Sequence, residues 1–369
     1  MVIAVNICSL PGQEAWNVLM EATMLRLAER YPQLQIVFIS DRPTLPEKCT
    51  RNVMVHTLQR RSQGLFALRW WYNFRLPPLL RSLKATMVLQ CGGVASMSAS
   101  LPQCLLFSDS LSPERSGWLS GKYKRLIHKR LPGFLNKSSL VLTPGVVTLN
   151  YVAGRMPNAT GKLQSWIPLP EQLPPGIDRE SLKEAYAGGN EYFVCQATIH
   201  PRSNLLLLLK AFSLFKKRMK SSMRLVVVTD QIPVNDEWVE SLRTYKYRND
   251  VNLVEVPLSA KAAMIVGGAY ACIQLSPLPA ELIRIQVCWQ AGVPIIAANE
   301  PVSKELMGEG SLLCDIDDPI QLAETMMQLY KDETMCKILI EKGKSLWQQR
   351  SNANTDTTLY QLLTALPKT

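Results

Sequence analysis

Short apolar runs alternate with helix-length apolar spacing through the second half of the chain. Tyr192–Thr198, Arg224–Asp230, Val251–Val256, Ala271–Ser276, Pro294–Asn299 and Ser311–Ile316 predict strands. Between them, Leu205–Met219, Asp236–Lys246, Ala260–Gly267, Glu281–Ala291 and Val302–Met307 predict helices. Strands joined by crossover helices imply a doubly wound, mostly parallel sheet that binds ligands at its strand carboxyl ends. The first half repeats the theme less cleanly, with Val2–Ile7, a helix from Gln13 to Arg30, Leu34–Ser40, a helix around Phe66–Leu83, Met87–Gln90 and Leu105–Ser108. The segment WIPLPEQLPPGID, Trp166 to Asp178, holds four prolines and a glycine and predicts a linker. The expected organisation is an α/β Rossmann-like domain over residues 1–165, the linker 166–178, and a second Rossmann-like domain over 179–350. Residues 351–369 form a tail expected to pack back on the first domain. Two such domains face a cleft, the default ligand site.

Composition changes the picture only in places. A chain of 369 residues that is 47% hydrophobic is long enough for two cores. No apolar run approaches the length of a membrane-spanning helix, and MVIAVNICSL reads as a first strand rather than a signal peptide. Nine scattered cysteines without a CxxC pair, and three histidines, point to a reduced compartment and argue against zinc. The expected location is the cytoplasm, at the inner face of the membrane if the charge is used there. That charge is uneven: residues 1–170 carry 20 Lys+Arg against 7 Asp+Glu, the rest 21 against 23. Lys122, Lys124, Arg125, His128, Lys129 and Arg130 are interleaved with Tyr123, Leu126, Ile127 and Leu131, which on a helix separates cations from apolar residues. Such a face suits anionic lipid or a phosphate-bearing acceptor, or is simply solvated. No base-stacking or groove-reading module accompanies it, so nucleic acid is not an expected partner.

Pro279 to Pro294 reads PAELIRIQVCWQAGVP, whose Gly292, Val293 and Pro294 close a helix and start a buried strand. This ending resembles the donor-binding motif of bacterial family-4 retaining glycosyltransferases, group 1 type, which have the two-Rossmann GT-B fold. YFVCQATIHPRSN at Tyr192–Asn204 is similar to the family's strand and phosphate-binding turn, and LLKAFSLFKKRM, RLVVV and SKELMGEGSLLCDIDDP follow in the family's order. MVIAVNI, LRWWYNFRLPPLLRSLKA and LLFSDS extend the likeness, which covers roughly residues 1–350.

The resemblance implies a nucleotide-sugar donor, an envelope glycan or lipid-linked acceptor, and no metal or other cofactor. It assigns donor binding to Arg202, Ser203, Asn204, Ser276, Glu281, Gln286, Gly292 and Glu305, and sets Ser108 and Asp109 at the family's catalytic-region His-Asp pair. Several motif positions differ. Ser203 stands for a lysine, Pro279 and Val287 for two glutamates, and Thr229, Val256 and Leu282 for glycines. The loop after the first strand, SLPGQEA, has Gly12 as its sole glycine. One lost cation–phosphate contact and two lost carboxylate–hydroxyl contacts cost roughly 1.5–3 kcal/mol each if buried. A total of about 4–6 kcal/mol weakens donor binding by roughly 10³ to 10⁴-fold. Glu281 and Arg284, with Cys288, share a face of a continuous helix and offer substitute contacts, or are ordinary first-turn and surface residues.

Other residues carry two readings each. His200 is a phosphate contact or a surface turn residue, Asp109 a ligand-end residue or a helix cap, and Glu305 a nucleotide-side residue or a helix-start residue. Trp70, Trp71, Tyr72 and Phe74 read as core and inter-helix packing rather than an acceptor platform. Two functions remain: a glycosyltransferase with altered donor contacts, or an inactive pseudo-glycosyltransferase that acts as a binding or scaffold partner, for example of an active transferase. Another GT-B activity, such as a sugar-nucleotide epimerase, finds no acid–histidine pair in this sequence.

Overall fold

The computed structural model describes residues 1–8, 14–41, 50–58, 65–107, 121–200, 203–233, 236–257 and 260–367. They divide into two compact units, Met1–Leu169 with Asn354–Thr369, and Pro170–Ala353. Each unit is a parallel sheet flanked by helices. In the first, β1 (Val2–Asn6), β2 (Gln35–Ser40), β3 (Val53–Thr57), β4 (Met87–Gln90), β5 (Gln103–Leu106), β6 (Leu140–Thr143) and β7 (Leu163–Ser165) run in the order β3-β2-β1-β4-β5-β6-β7. In the second, β8 (Tyr192–Gln196), β9 (Arg224–Thr229), β10 (Val251–Glu255), β11 (Ala271–Gln274), β12 (Ile295–Ala298) and β13 (Leu312–Cys314) run β10-β9-β8-β11-β12-β13. Both are doubly wound, so each has one point where the strand order reverses: between β1 and β4, and between β8 and β11.

The central strands are short apolar runs because helices cover both faces of the sheet. Ile3, Val88, Phe193, Val194 and Ile273 are fully buried. The strand at the edge, β3, lacks this signal: Met54 is 63% exposed, and only Val53 is buried. The unpredicted strands β6 and β7 are four and three residues long.

Two helices expected to be continuous are interrupted. Around Phe66–Leu83 the chain forms a helix at Leu65–Trp70, a π-turn at Trp71–Arg75, and a second helix at Leu76–Ser82. Pro77 and Pro78 explain the break, since neither has an N–H and the Pro77 ring crowds the carbonyl four residues earlier. The Leu76 N–H reaches Trp71 O, the wider i→i+5 bond. One consequence corrects the packing expected for the aromatic cluster. Trp71 and Tyr72 are buried, but Trp70 is 54% and Phe74 68% exposed. The other interruption divides Glu281–Ala291 into Pro279–Arg284 and Val287–Ala291. Between them Gln286 N–H bonds Ile283 O and Cys288 N–H bonds Ile285 O, the tighter i→i+3 pattern. Cys288 therefore does not share the face of Glu281 and Arg284; it is buried beside Cys272.

The helix Thr355–Thr364 belongs to the first unit. Asp356 pairs with Arg26 at 2.7 Å, Tyr360 stacks on Tyr31 at 3.9 Å, and Thr355 O accepts from Trp166 Nε1. No helix of the described residues is long and apolar enough to cross a membrane.

Candidate functional site

The four strands beside the two reversal points each end in an amide: Asn6 on β1, Gln90 on β4, Gln196 on β8 and Gln274 on β11. A polar residue closing an apolar run of a parallel sheet sits where ligands of such sheets bind. All four are buried.

In the second unit the two amides hold an acid–base pair. Gln196 turns its oxygen to the guanidinium and accepts from Arg284 Nη1 at 2.8 Å and Nη2 at 3.0 Å. Gln274 Nε2 donates to Glu281 Oε2 at 3.0 Å, and Ser276 also bonds that carboxylate. The β8–β11 register, Phe193 opposite Ala271, carries Gln196 opposite Gln274, so the two contacts stand side by side. Burial pushes the Glu281 carboxyl up to about 7, against the pull of Ser276 and Arg284. Burial likewise lowers Arg284 from its ordinary value, while Glu171, Glu281 and Asp230 act to raise it. A guanidinium keeps its proton even so, and Arg284 is a buried cation, 7% exposed, with carboxylates on several sides. The Gln274 oxygen is buried and has no hydrogen-bond partner among the described residues.

The predicted phosphate turn lies beside β8. Asn204 adopts a left-handed conformation (φ 54°) and leads into the Leu205–Met219 helix, whose N-terminus carries no side-chain cap. Its first N–H groups are thus left for other acceptors. Ser203 does not face that opening. It is 1% exposed, its hydroxyl donates to Thr198 O at 2.5 Å, and its N–H donates to His200 O. Arg202, Ser108, Asp109 and Gly12 lie outside the described residues.

The remaining predicted residues fall in two places. Ser276 joins the Glu281 group, where its oxygen also accepts from the Leu278 N–H. Gln286 is fully buried and donates to Leu306 O at 3.2 Å, against the Pro301–Met307 helix. Glu305, on that helix, acts on Arg350, which also donates to Leu306 O. Gly292 occupies the left-handed position (φ 68°) that ends Val287–Ala291, and the next N–H, Val293, bonds Cys288 O at 2.8 Å. At the positions of the family's glutamates, Val287 is 2% exposed and Pro279 starts its helix, buried. Of the glycine replacements, Thr229 is fully buried and turns its hydroxyl to Gln231 O.

Reading the motif alone singles out Glu281 and Arg284 but misses Gln196 and Gln274, which orient them. The signal was present as the terminal amide of YFVCQ and ACIQ. The same signal, in VIAVN and MVLQ, marks the first unit's network. There Asn6 Nδ2 donates to Gln90 Oε1 at 2.7 Å, and Gln90 Nε2 to Gln103 Oε1 at 3.2 Å. Gln103 in turn bonds the Ser96 backbone at both N–H and carbonyl.

No protein-family model matches the sequence, and no curated protein does. Solved structures are similar over the whole chain. HepE of Anabaena, in complex with UDP-glucose, is 16% identical with a TM-score of 0.74, over 99% of this chain and 100% of that one. WaaG, a glycosyltransferase involved in lipopolysaccharide biosynthesis, is 11% identical with a TM-score of 0.75, over 99% and 100%. The sucrose-phosphate synthase of Thermosynechococcus elongatus is 14% identical with a TM-score of 0.72, over all of both chains. The chain has the GT-B fold of glycosyltransferases, two Rossmann-like parallel-sheet domains.

Proposed function

We propose that this protein is a glycosyltransferase of the family-4 type. It would move a sugar from a nucleotide-sugar to an envelope glycan or lipid-linked acceptor, with retention of anomeric configuration and altered donor contacts. The observation that carries this reading is the buried Arg284 and the part-buried Glu281, held over the β8–β11 reversal by Gln196 and Gln274. The similarity to HepE, which was solved with UDP-glucose and with UDP, supports a nucleotide-sugar as the donor.

In this reading Arg284 takes the part of the missing motif lysine. A cation fixed in a dry site stabilises charge that develops on the departing diphosphate, and its reorganisation is already spent on Gln196. The N-terminus of Leu205–Met219, which the Asn204 side chain does not cap, adds N–H donors to the same anion. Glu281 and the unpartnered Gln274 oxygen accept from sugar hydroxyls. No metal or other cofactor is invoked.

A second reading has its own support. Val287 and Pro279 are buried and apolar where the family has carboxylates, and Ser203 is turned inward. A pseudo-glycosyltransferase that keeps the fold to bind a partner, such as an active transferase, accounts for these three positions.

The test is a thermal-shift screen against UDP, GDP, ADP and their sugar conjugates at millimolar concentration, followed by assay of nucleotide release. A ligand that binds only the native state raises the melting temperature by mass action. The transferase reading expects a base-selective shift that Arg284→Ala abolishes, and nucleotide release with an acceptor present. No shift from a cooperatively melting protein removes it. A shift without release leaves the scaffold reading.

A further inference from the structure

The π-turn that buries Trp71 and Tyr72 sends three aromatic rings the other way. Phe66, Trp70 and Phe74 are 86%, 54% and 68% exposed, at four-residue spacing along one helical face. With Ala67, Arg69 and Asn73 they border a concavity of ≈ 580 Å³. Exposed large aromatics of this number, side by side, mark an interaction surface rather than ordinary surface.

Cations surround the stripe. Arg69 is exposed beside it, and the Arg75 guanidinium lies 5.2 Å from the Trp70 ring. Asn73 Oδ1 accepts from the Met97 N–H, and the half-exposed Met97 side chain rests against Gly133 of the Gly121–Lys137 helix. That helix exposes Arg125, Lys129 and Arg130. The sequence has no Asp or Glu between Glu47 and Asp109, nor between Glu114 and Glu171.

We propose that this face docks the protein on an anionic lipid bilayer. Phe66, Trp70 and Phe74 enter the boundary between headgroups and acyl chains, and Arg69, Arg75, Arg125, Lys129 and Arg130 meet the lipid phosphates. Aromatic rings with an arginine-rich rim match the interface of a bilayer, where apolar and anionic layers meet. A second copy of the chain fits the surface poorly, because a two-fold contact would set Arg69 and Arg75 against their own kind. A soluble glycan fits less well still, since the amide oxygen of Asn73 is already committed to Met97.

The test is co-sedimentation of the whole protein with vesicles of phosphatidylcholine, and of phosphatidylcholine mixed with phosphatidylglycerol. The wild type is expected on the mixed vesicles at low salt and not on neutral ones. The triple variant Phe66→Ser, Trp70→Ser, Phe74→Ser should lower the bound fraction at least about tenfold with an unchanged melting temperature. Brominated acyl chains should quench the fluorescence that Trp70→Phe removes, which tests the same point without the triple variant. The proposal is overturned by wild type that ignores anionic vesicles, by a folded triple variant that binds as well as wild type, or by Trp70 emission blind to bromine. It is equally overturned if the triple variant abolishes a dimer seen by light scattering without vesicles. These outcomes do not depend on donor binding, so they stand apart from the test of the transferase reading.

Discussion

The two sheets solve one problem in opposite ways. Each brings two buried amides together at its order reversal, Asn6 with Gln90 and Gln196 with Gln274. In the first unit the amides bond each other, Gln103 extends the chain, and the Tyr72 hydroxyl receives a second bond from Asn6 at 3.3 Å. Among the described residues the network is closed by neutral partners, as a buried polar group requires. In the second unit the two amides do not bond each other. One faces a guanidinium and the other a carboxylate, and one amide oxygen is left over. A buried guanidinium, a carboxyl pushed up to about 7 and a spare acceptor at the strand ends make an arrangement suited to chemistry. The difference puts the charged arrangement in the second unit.

The sharpest way to break this comparison is Arg284→Met. Removing the cation leaves the Gln196 oxygen buried without its donors, at a cost of about 3 kcal/mol. The second unit's apparent melting temperature should fall by about 10 °C, at roughly 2–4 °C per kcal/mol for a unit of this size. Differential scanning calorimetry measures it. If the fall is no larger than that caused by Asn6→Ala, the charged arrangement holds its unit no more strongly than the neutral one does.

Next in size is a pH dependence. Glu281 titrates near 4.5 when unfolded and at about 7 when folded, so the native state holds a proton that the unfolded chain has released. A raised carboxyl value makes this contribution largest below the unfolded value and removes it as pH rises through about 7. The total is at most about 3 kcal/mol, at 1.36 kcal/mol per pH unit. Urea unfolding at pH 5 and pH 8 should show wild type losing stability relative to Glu281→Gln as pH rises. Parallel curves for the two proteins would mean that Glu281 stays charged throughout. Nothing in the Asn6–Gln90 network predicts such a slope.

Much of this was legible in the sequence. The second unit's strands and the Leu205–Met219 helix follow from apolar periodicity, and Gly292 marked its helix end correctly. Periodicity could not place the break at Ile285–Gln286, because buried residues on both sides, Ile283 and Val287, keep the apolar pattern running through it. It also could not tell Trp71 from Trp70. Neighbouring aromatics look equally core-like until the prolines at 77 and 78 force a π-turn that sends one in and the other out. The amides at the strand ends were visible, but which would pair with each other and which with charge depended on a helix arriving from elsewhere in the chain. Among the described residues the second unit supplies that helix, Pro279–Arg284.

A third, smaller effect tests the neutral side. Asn6→Ala leaves Gln90 Oε1 without its donor and should cost about 1–3 kcal/mol. Adding Gln90→Leu, which removes both polar partners at once, should cost less than the sum of the single changes, by roughly 0.5–3 kcal/mol of coupling. A double-mutant cycle in urea measures it. Additive effects would mean that the two amides are satisfied separately, and the self-contained network would be wrong.

The smallest effect concerns the turn where a lysine would complete the phosphate motif. Ser203→Ala removes only a hydroxyl donating to Thr198 O and should cost about 1 kcal/mol, with no change in nucleotide affinity. The unchanged affinity is the decisive outcome. If the Ser203 hydroxyl serves the turn alone, the phosphate side of the crevice relies on Arg284 and backbone N–H groups, and the charged arrangement over β8 and β11 compensates for a lost cation. A tenfold weaker nucleotide by calorimetric titration would instead show that the turn opens and its serine reaches the ligand. Arg284 would then supplement a working motif rather than replace it, and the contrast between the two reversal points would reduce to a difference in packing.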